Sequence, residues 1–166
     1  MNIVQYIIVR KDILEIHKED LMSLSIDRKE QYNKELAEVG KMNRGKLSAQ
    51  VAHGSMAPIL MKMRNNISYT EFEAPKNKYS LTLDMDKKSD LSEWIEKSFA
   101  KVVLYVKSEE ALLNLHTKLI EAGIVSELIK DEGRTAFKKP TYTCLGIEPL
   151  DKDKLIPFVK KLRLLD

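Results

Sequence analysis

A chain of 166 residues is long enough to bury a hydrophobic core as a single domain. Its 28 Lys and Arg against 25 Asp and Glu leave an excess of three positive charges. Nucleic-acid binding would therefore have to depend on where the cations lie and not on their total. The single cysteine, Cys144, excludes an internal disulfide and a thiolate metal cage.

The sequence carries no sign of targeting to a membrane or to the secretory pathway. The first six residues lack the basic start and the long apolar stretch of a signal peptide. No apolar run approaches the roughly 20 residues that a bilayer-spanning helix needs. We therefore expect a cytoplasmic protein with no membrane segment.

The first part of the chain predicts one strand followed by helices. Residues 3–9 are rich in Ile, Val and Tyr, which predicts a buried strand. Residues 17–39 are charged and carry a thin apolar stripe, which predicts one or two helices lying on a surface. Residues 45–64 predict a longer helix that is kinked at Pro58. Its predicted buried stripe consists of Ala49, Ala52, Met56, Ile59, Leu60 and Met63.

An extended arm is predicted after the long helix. Apolar and polar residues alternate over residues 67–69 and 79–85, with a proline-containing turn between them, as in a β-hairpin. Residues 91–99 then predict a short helix, in which Trp94 is expected to anchor this region to the body of the protein.

The second half of the chain alternates strands with helices. Ser108, two glutamates and an apolar run that ends at Gly123 predict a helix with a cap at each end. Strands are predicted over residues 101–106, 124–129 and 142–147, and a last helix over residues 151–164. Together with the first strand, this order predicts an α/β fold, in which a small mixed β-sheet of about four core strands is sandwiched between helices.

Residues 41–53 are the most informative stretch of the sequence. They hold three cations, an amide and an imidazole, and no acidic residue occurs over residues 39–70. On a helix, Lys46, Gln50 and His53 share one face, because residues three, four and seven apart stack along the axis. A basic loop that leads into such a helix predicts a site for an anionic ligand.

A phosphate-binding P-loop is an alternative explanation of this stretch. Residues 40–46 match most of the pattern, but Leu47 stands where the Ser or Thr that holds magnesium belongs. A P-loop also follows a buried apolar strand, whereas residues 31–39 are mostly polar and predict a helix. A nucleotide-dependent enzyme is therefore disfavoured.

A second cluster of polar side chains follows the strand predicted at residues 124–129. In open α/β sheets, ligands lie beyond the carboxyl ends of strands. Gly133 permits a sharp turn at this point, which would display Asp131, Arg134 and Thr135. Each has a simpler explanation when taken alone, because Asp131 can terminate a strand and Arg134 can be solvated. The basic helix, which should begin at the same sheet edge, favours one shared site.

Three segments resemble the signature of the type-2 peptidyl-tRNA hydrolases. Residues 41–53 read Lys-Met-Asn-Arg-Gly-Lys-Leu-Ser-Ala-Gln-Val-Ala-His, close to the family pattern Lys-Met-x-[Lys/Arg]-Gly-Lys-x-Ala-Ala-Gln-x-x-His-Ala. Residues 131–135 and 143–149 resemble the family's Asp-x-Gly-Arg-Thr and Thr-x-Leu-x-x-Gly-Pro segments. The sequence departs from these patterns at Ser48, Gly54 and Glu148, and the resemblance covers residues 2–12, 41–64 and 101–164.

Two inserts are the larger departures from the family pattern. The resemblance implies a single domain over residues 1–166, interrupted by a helical insert at about residues 13–40 and by the β-hairpin insert at about residues 65–98. Neither insert carries a matched motif residue, so we expect them to modulate the site or to make contacts between subunits. A homodimer is therefore a possible assembly of this protein.

The resemblance implies hydrolysis of the ester that joins a peptide to the terminal ribose of tRNA, which releases free tRNA for reuse. That reaction needs a positioned water, a proton acceptor and donors for the developing oxyanion. Lys46 is the implied cation for the oxyanion, and Asp131 the group that accepts a proton or orients the water. Thr135 and Thr143 complete the implied catalytic set by fixing the water or the carbonyl.

The resemblance also implies contacts with the acceptor end of tRNA. Gln50 is expected to hold the peptide or the ribose, while His53 either binds substrate or is a structural residue. The phosphate contacts are expected from five cations: Lys41, Arg44, Arg134, Lys138 and Lys139. No metal and no organic cofactor is implied. The alternative function is a non-catalytic module that binds tRNA or another anionic ligand on the same fold.

Overall fold

A mixed β-sheet organises residues 2–65 and 81–165, the part of the chain that the computed structural model describes. Its six strands are β1 (Ile3–Arg10), β2 (Lys101–Val106), β3 (Ser126–Asp131), β4 (Thr141–Ile147), β5 (Leu150–Asp151) and β6 (Arg163–Leu164). The strand order is β3-β4-β1-β2-β6, and β5 pairs with β1 beside this path. β1 and β2 are parallel, and the other pairs are antiparallel. The predicted α/β fold is confirmed, with two short strands added to the four core strands.

Helices cover both faces of this sheet. They are α1 (Lys18–Ser23), α2 (Ile26–Glu38), α3 (Arg44–Asn65), α4 (Asp90–Glu93), α5 (Glu109–Glu121) and α6 (Pro157–Lys160). On one face, α5 and α6 pack into the core through Leu112 and Val159. On the opposite face, α3 packs against a second cluster through Leu47 and Val51. Among the helices of the described ranges, none is long and apolar enough to cross a membrane.

The caps of α5 and the anchor of the second insert confirm two local predictions. The Ser108 hydroxyl accepts the N–H of Ala111 at the start of α5, and Gly123 adopts a φ of +70° just past its end. Trp94 is 1% exposed and donates its indole N–H to the carbonyl of Ala100 at 2.8 Å. The tryptophan thus ties the second insert to the residue that precedes β2.

The first insert forms a pair of surface helices, as predicted. α1 buries no residue, and α2 buries Tyr32, whose hydroxyl accepts the N–H of Ile16 at 3.2 Å. The N–H of Lys138 donates to the carbonyl of Val39 at 3.1 Å, which joins the end of this insert to the loop after β3. Because α2, and not a strand, precedes the basic loop, the P-loop alternative fails.

The predicted buried stripe of α3 is wrong. Ala49 and Ala52 are exposed, and Met56 is 56% exposed. The other members of the stripe are half-buried, and the helix continues through Pro58. The helix is therefore rotated about its axis relative to the orientation that hydrophobicity alone predicts.

A close approach between α3 and β4 explains this rotation. A Cβ added at Gly54 would lie 2.9 Å from Cγ2 of Ile7, and one added at Gly146 on β4 would lie 1.8 Å from the carbonyl oxygen of Gly54. The two glycines let the backbones touch, so the helix turns its glycine side to the sheet. Gln50 and Pro58 are buried on that same side.

Two other elements differ from the prediction. The predicted final helix over residues 151–164 is replaced by a 3-10 turn (Lys152–Lys154), the four-residue α6 and β6. Pro157 opens α6 because its ring suits the first turn of a helix but supplies no N–H within one. Residues 81–86 carry no regular secondary structure, so the second predicted strand of the arm is absent there, and the rest of the arm lies outside the described residues.

Candidate active site

The start of α3 is fixed by an asparagine cap. The side-chain oxygen of Asn43 accepts the backbone N–H of Lys46 at 2.9 Å, which satisfies one of the free donors of the first turn. Helical spacing then places Lys46, Gln50 and His53 on one side of α3. As predicted, these three side chains line one cleft, and the end of β3 forms its other wall.

Asp131, the last residue of β3, is held by donors on both of its oxygens. Oδ2 forms an ion pair with Nζ of Lys46 and accepts the side-chain N–H of Gln50 at 3.2 Å. Oδ1 accepts the backbone N–H of Gly133 at 2.9 Å, in a turn that requires a φ of +79° at Gly133. Contacts from α3 and from the loop after β3 therefore fix the same carboxylate.

Thr143 on β4 lies behind this carboxylate and does not line the cleft. Its hydroxyl donates to Oε1 of Gln50 at 2.6 Å, and Nε2 of the same amide donates to Asp131. Thr143 is fully buried, and Gln50 exposes 2% of its surface. Thr143 therefore reaches the site through Gln50.

The surroundings of Asp131 keep its carboxylate ionised. Burial alone would raise the pKa, but the hydrogen bonds from Lys46 and from the N–H of Gly133 outweigh it, and the charges of Lys46 and His53 act in the same direction. The pKa of Asp131 is consequently held below its usual value. A carboxylate that is such a weak base is better suited to orienting a water molecule than to holding a proton taken from it.

Cys144 follows Thr143 on β4 but is not part of the reactive set. Its Sγ donates to the backbone carbonyl of Gln50 at 3.1 Å, and its side chain is fully buried. Burial raises the pKa of the Cys144 thiol to about 12. The thiol is therefore uncharged at neutral pH and unsuited to act as a nucleophile.

The cleft between α3 and the end of β3 has a volume of about 270 Å³. It brings together six residues that the sequence predicts: Lys46, Gln50, His53, Asp131, Arg134 and Thr135. Ile129, Lys130 and Glu132 also line it, although no sequence motif predicts them. Their position close to Asp131 at the end of a predicted strand could have indicated that they line the cleft.

Lys46 and Thr135 bring donors to the surface of the cleft. Nζ of Lys46 donates to Oγ1 of Thr135 at 3.3 Å and also pairs with Asp131. An ammonium group has three N–H donors, so these two contacts leave one that can meet a ligand. Thr135 is exposed, and the Lys46 side chain is 21% exposed.

Lys41 is turned away from the cleft and holds the first insert. Its Nζ donates to Oε2 of Glu35 on α2 at 2.6 Å and to the carbonyl of Asp12 at 2.5 Å. The residue is 8% exposed. The hydrogen bond from Lys41 lowers the pKa of Glu35 below its usual value, as expected for a stabilised carboxylate.

Two more of the predicted phosphate contacts also touch the first insert. Nζ of Lys138 donates to the carbonyl of Ala37 near the end of α2. Nη2 of Arg44 lies 2.9 Å from Nε2 of His17, just before α1. The first insert therefore contacts three of the cations that the sequence assigns to tRNA, of which Arg44 and Lys138 remain exposed.

Arg134 and Lys139, two more of the predicted phosphate contacts, are exposed in the loop after β3. The Arg134 side chain is 83% exposed and pairs with the equally open Glu132 at 2.6 Å, an ion pair that solvent weakens. Lys139 is also exposed, and its backbone packs against Gly133, so it belongs to the same loop. This loop therefore presents exposed cations beside the cleft.

Comparisons with known proteins identify the family of this chain. The family model of Peptidyl-tRNA hydrolase PTH2 matches residues 3–165. The chain is 34% identical to the Peptidyl-tRNA hydrolase of Methanopyrus kandleri over 125 residues, which cover 75% of this chain and 89% of that relative. It is 32% identical to the Peptidyl-tRNA hydrolase of Nanoarchaeum equitans over 123 residues, with shares of 74% and 89%. Matched over nearly its whole length by the family model, the chain belongs to the PTH2 family of peptidyl-tRNA hydrolases.

Proposed function

We propose that this chain hydrolyses the ester between a peptide and the terminal ribose of tRNA. The observation that carries the proposal is the Lys46–Asp131 pair, which two separate motifs bring to the wall of one cleft. Membership of the PTH2 family and the names of the relatives support the same reaction.

The pair supplies the electrostatics that ester hydrolysis needs. The third N–H of Lys46 donates to the carbonyl oxygen, which gains negative charge as water attacks the carbonyl carbon. Asp131 orients this water and accepts one of its protons as the oxygen attacks. It then gives that proton up readily, because the pKa of its carboxyl group is low. The proton ends on the ribose oxygen as the bond between that oxygen and the carbonyl carbon breaks. The products are free tRNA and a peptide acid.

The remaining motif residues divide into those that contact the substrate and those that position Asp131. Thr135 is exposed beside Lys46, so its hydroxyl fixes the water or the carbonyl. His53 is exposed on the α3 wall of the cleft and contacts the substrate. The buried Gln50 and Thr143 act as positioning residues, which revises the catalytic role expected for Thr143.

The tRNA approaches from the side of the loop after β3. Arg134 and Lys139 are exposed there and meet the phosphates near the acceptor end, where contacts position the RNA without reading its sequence. Lys41 is buried and serves the first insert instead, whereas Lys138 and Arg44 stay exposed and keep further N–H donors for phosphate. This division replaces the five equivalent contacts that the sequence predicts.

The location and the assembly are further parts of the proposal. A hydrolase that recycles tRNA works in the cytoplasm, beside translation. The two inserts add surface that the reacting groups do not use, and a homodimer formed through that surface is the proposed assembly. Sedimentation of the purified chain tests the dimer.

Release of tRNA from a purified peptidyl-tRNA tests the function. We expect many turnovers from the native chain and a loss of about 100-fold or more in kcat/KM for Lys46→Ala, the cost of removing one donor to an oxyanion. Lys118→Ala is the control that removes the same charge, because Lys118 lies on α5, on the opposite face of the sheet from the cleft. Binding of tRNA by the native chain without any release would favour the non-catalytic module.

A further inference from the structure

β3 is an edge strand whose outer side is open in the described part of the chain. It ends the strand order of the sheet and pairs with β4 on its inner side. No backbone hydrogen bond within residues 2–65 and 81–165 joins β3 to a strand other than β4. An edge of this kind presents free N–H and C=O groups that an extended peptide can pair with.

This open edge leads directly into the reactive cleft. β3 ends at Asp131, so a chain lying beside β3 reaches Lys46 and Asp131 with its last residue. Six residues of strand span about 20 Å, enough for a peptide of similar length. The edge is therefore continuous with the place where the ester must lie.

α3 forms a wall along the same edge. It begins beside Asp131, and near its other end Lys62 pairs at 2.6 Å with Glu148, whose second oxygen accepts the N–H of Val125 just before β3. The helix and the strand therefore run side by side in opposite directions. Their contacts at both ends of β3 define one groove.

The wall of this groove beyond the cleft is apolar. Ala57 and Leu60 lie four and seven residues after His53, on the same side of α3 as Lys46. Both are half-buried and uncharged. Apolar side chains of this kind can pack against many different peptide side chains and discriminate little among them.

We propose that the peptide part of the substrate binds as an added strand on the open edge of β3, parallel to it, with its ester at Asp131 and its side chains against Ala57 and Leu60. This inference rests on the proposed esterase function and describes how that active site binds the peptide of its substrate. The parallel direction follows because the C-terminal residue of the peptide carries the ester. Main-chain pairing suits a substrate whose peptide can have any sequence.

Strand pairing makes a distinctive demand on the substrate. In a parallel pair, every second residue of the peptide turns its N–H and C=O toward the neighbouring strand, and the residues between turn theirs away. Binding energy should therefore grow with the length of the peptide. N-methylation of its amides should matter at alternate positions only.

One tRNA charged with N-acetylated peptides of one to four residues tests this. We expect kcat/KM to rise about three- to tenfold for each paired residue, mainly through KM, the range that one net hydrogen bond supplies. N-methylation should remove that gain at every second amide. A kcat/KM that does not depend on peptide length, or that falls equally on N-methylation of consecutive amides, would overturn the proposal that the peptide binds as a strand. Failure to cleave even the one-residue substrate would instead overturn the proposed function.

Ala57→Glu and Ala52→Glu form a matched pair of variants on α3. Ala57 lies on the groove side and Ala52 is exposed on another side of the helix. Ala57→Glu should raise KM for the four-residue substrate and leave the one-residue substrate unchanged, while Ala52→Glu changes neither. Equal behaviour of the two variants contradicts the groove. If Ala57→Glu does not fold, the N-methylated series with the native chain decides.

Discussion

Thr143 donates its hydroxyl hydrogen to Oε1 of Gln50 at 2.6 Å, and both side chains are closed off from solvent. This bond decides which end of the amide faces Asp131. With its oxygen satisfied by Thr143, the amide turns Nε2 toward the carboxylate, where a donor and not an acceptor is needed. A residue that no substrate can reach thus sets the polarity of the site.

Thr143→Val should therefore impair both folding and turnover. It removes the donor and leaves the amide oxygen of Gln50 buried without a partner, which costs about 1–3 kcal/mol in the free energy of unfolding. We expect kcat to fall about tenfold or more while KM changes little, because the substrate contacts are untouched. Urea unfolding and steady-state kinetics measure the two effects.

Thr143→Ser is the control for this substitution. It keeps the hydroxyl and should stay close to the native chain in both stability and kcat. A serine variant as impaired as the valine variant would show that the methyl group, and not the hydrogen bond, is what matters at this position.

Asp131 should make the stability of the protein depend on pH in the acid range. Its pKa is lower in the folded state than in the unfolded chain, so its contribution is fully present above the unfolded value of about 3.9. That contribution is lost as the pH falls through the folded pKa. The difference in unfolding free energy between the native chain and Asp131→Asn should therefore shrink from pH 6 toward pH 3.

The exposed Glu132 gives the control for this pH series. Glu132→Gln removes the same charge from an open ion pair with Arg134, which solvent and salt screen. Its difference from the native chain should stay small throughout. If the Asp131→Asn difference is as flat, the ion pair with Lys46 contributes nothing to folding.

The core of the site could be predicted from the sequence because its geometry is local. Lys46, Gln50 and His53 share a helix side by spacing alone, and Asp131 and Thr135 follow one strand within five residues. Each local pattern thus fixes its own part of the site. The buried position of Thr143 could not be read in this way, because it depends on how α3 lies across β4.

Hydrophobic periodicity predicts the wrong orientation for α3 because it ignores the distance between backbones. Ala49 and Met56 lie on its more apolar side, yet that side is exposed. Gly54 and Gly146 allow a contact too close for any larger side chain, and this contact decides which side of the helix is buried. Two glycines far apart in sequence outweigh the apolar stripe.

Gly146→Ala should consequently destabilise the fold by about 3 kcal/mol, as expected for overpacking against a backbone that cannot move aside. An added Cβ would lie 1.8 Å from the carbonyl oxygen of Gly54. Turnover should fall as well, because α3 carries Lys46. Urea unfolding at neutral pH measures the loss.

Gly45→Ala tests whether the effect is specific to this contact. An added Cβ at Gly45 would meet Oδ1 of Asn43 at 3.6 Å, an ordinary contact, and alanine favours a helix over glycine by about 1 kcal/mol. Stability should stay the same or rise. Equal losses at Gly45 and Gly146 would argue against close packing as the cause.

The contacts that the cations of the basic loop make could not be predicted from the sequence either. An acid-free stretch indicates a basic surface, but the acid that pairs with Lys41 comes from α2, which folds back onto the loop. Nothing local to residues 39–70 predicts that Glu35 will reach the lysine. Pairing between an insert and a motif is a property of the tertiary fold.

Binding of tRNA should therefore depend on salt through the loop after β3. Replacing Arg134 and Lys139 together with Gln should flatten the slope of log affinity against log salt by up to about two units, because each phosphate contact contributes nearly one. Lys41→Met should leave the slope unchanged and lower stability instead, since Lys41 holds Glu35. Lys160→Gln with Lys161→Gln is the control of equal charge, placed at the end of α6 on the opposite face of the sheet. If the control pair flattens the slope as much as the loop pair, the RNA responds to total charge and the loop has no special place in binding.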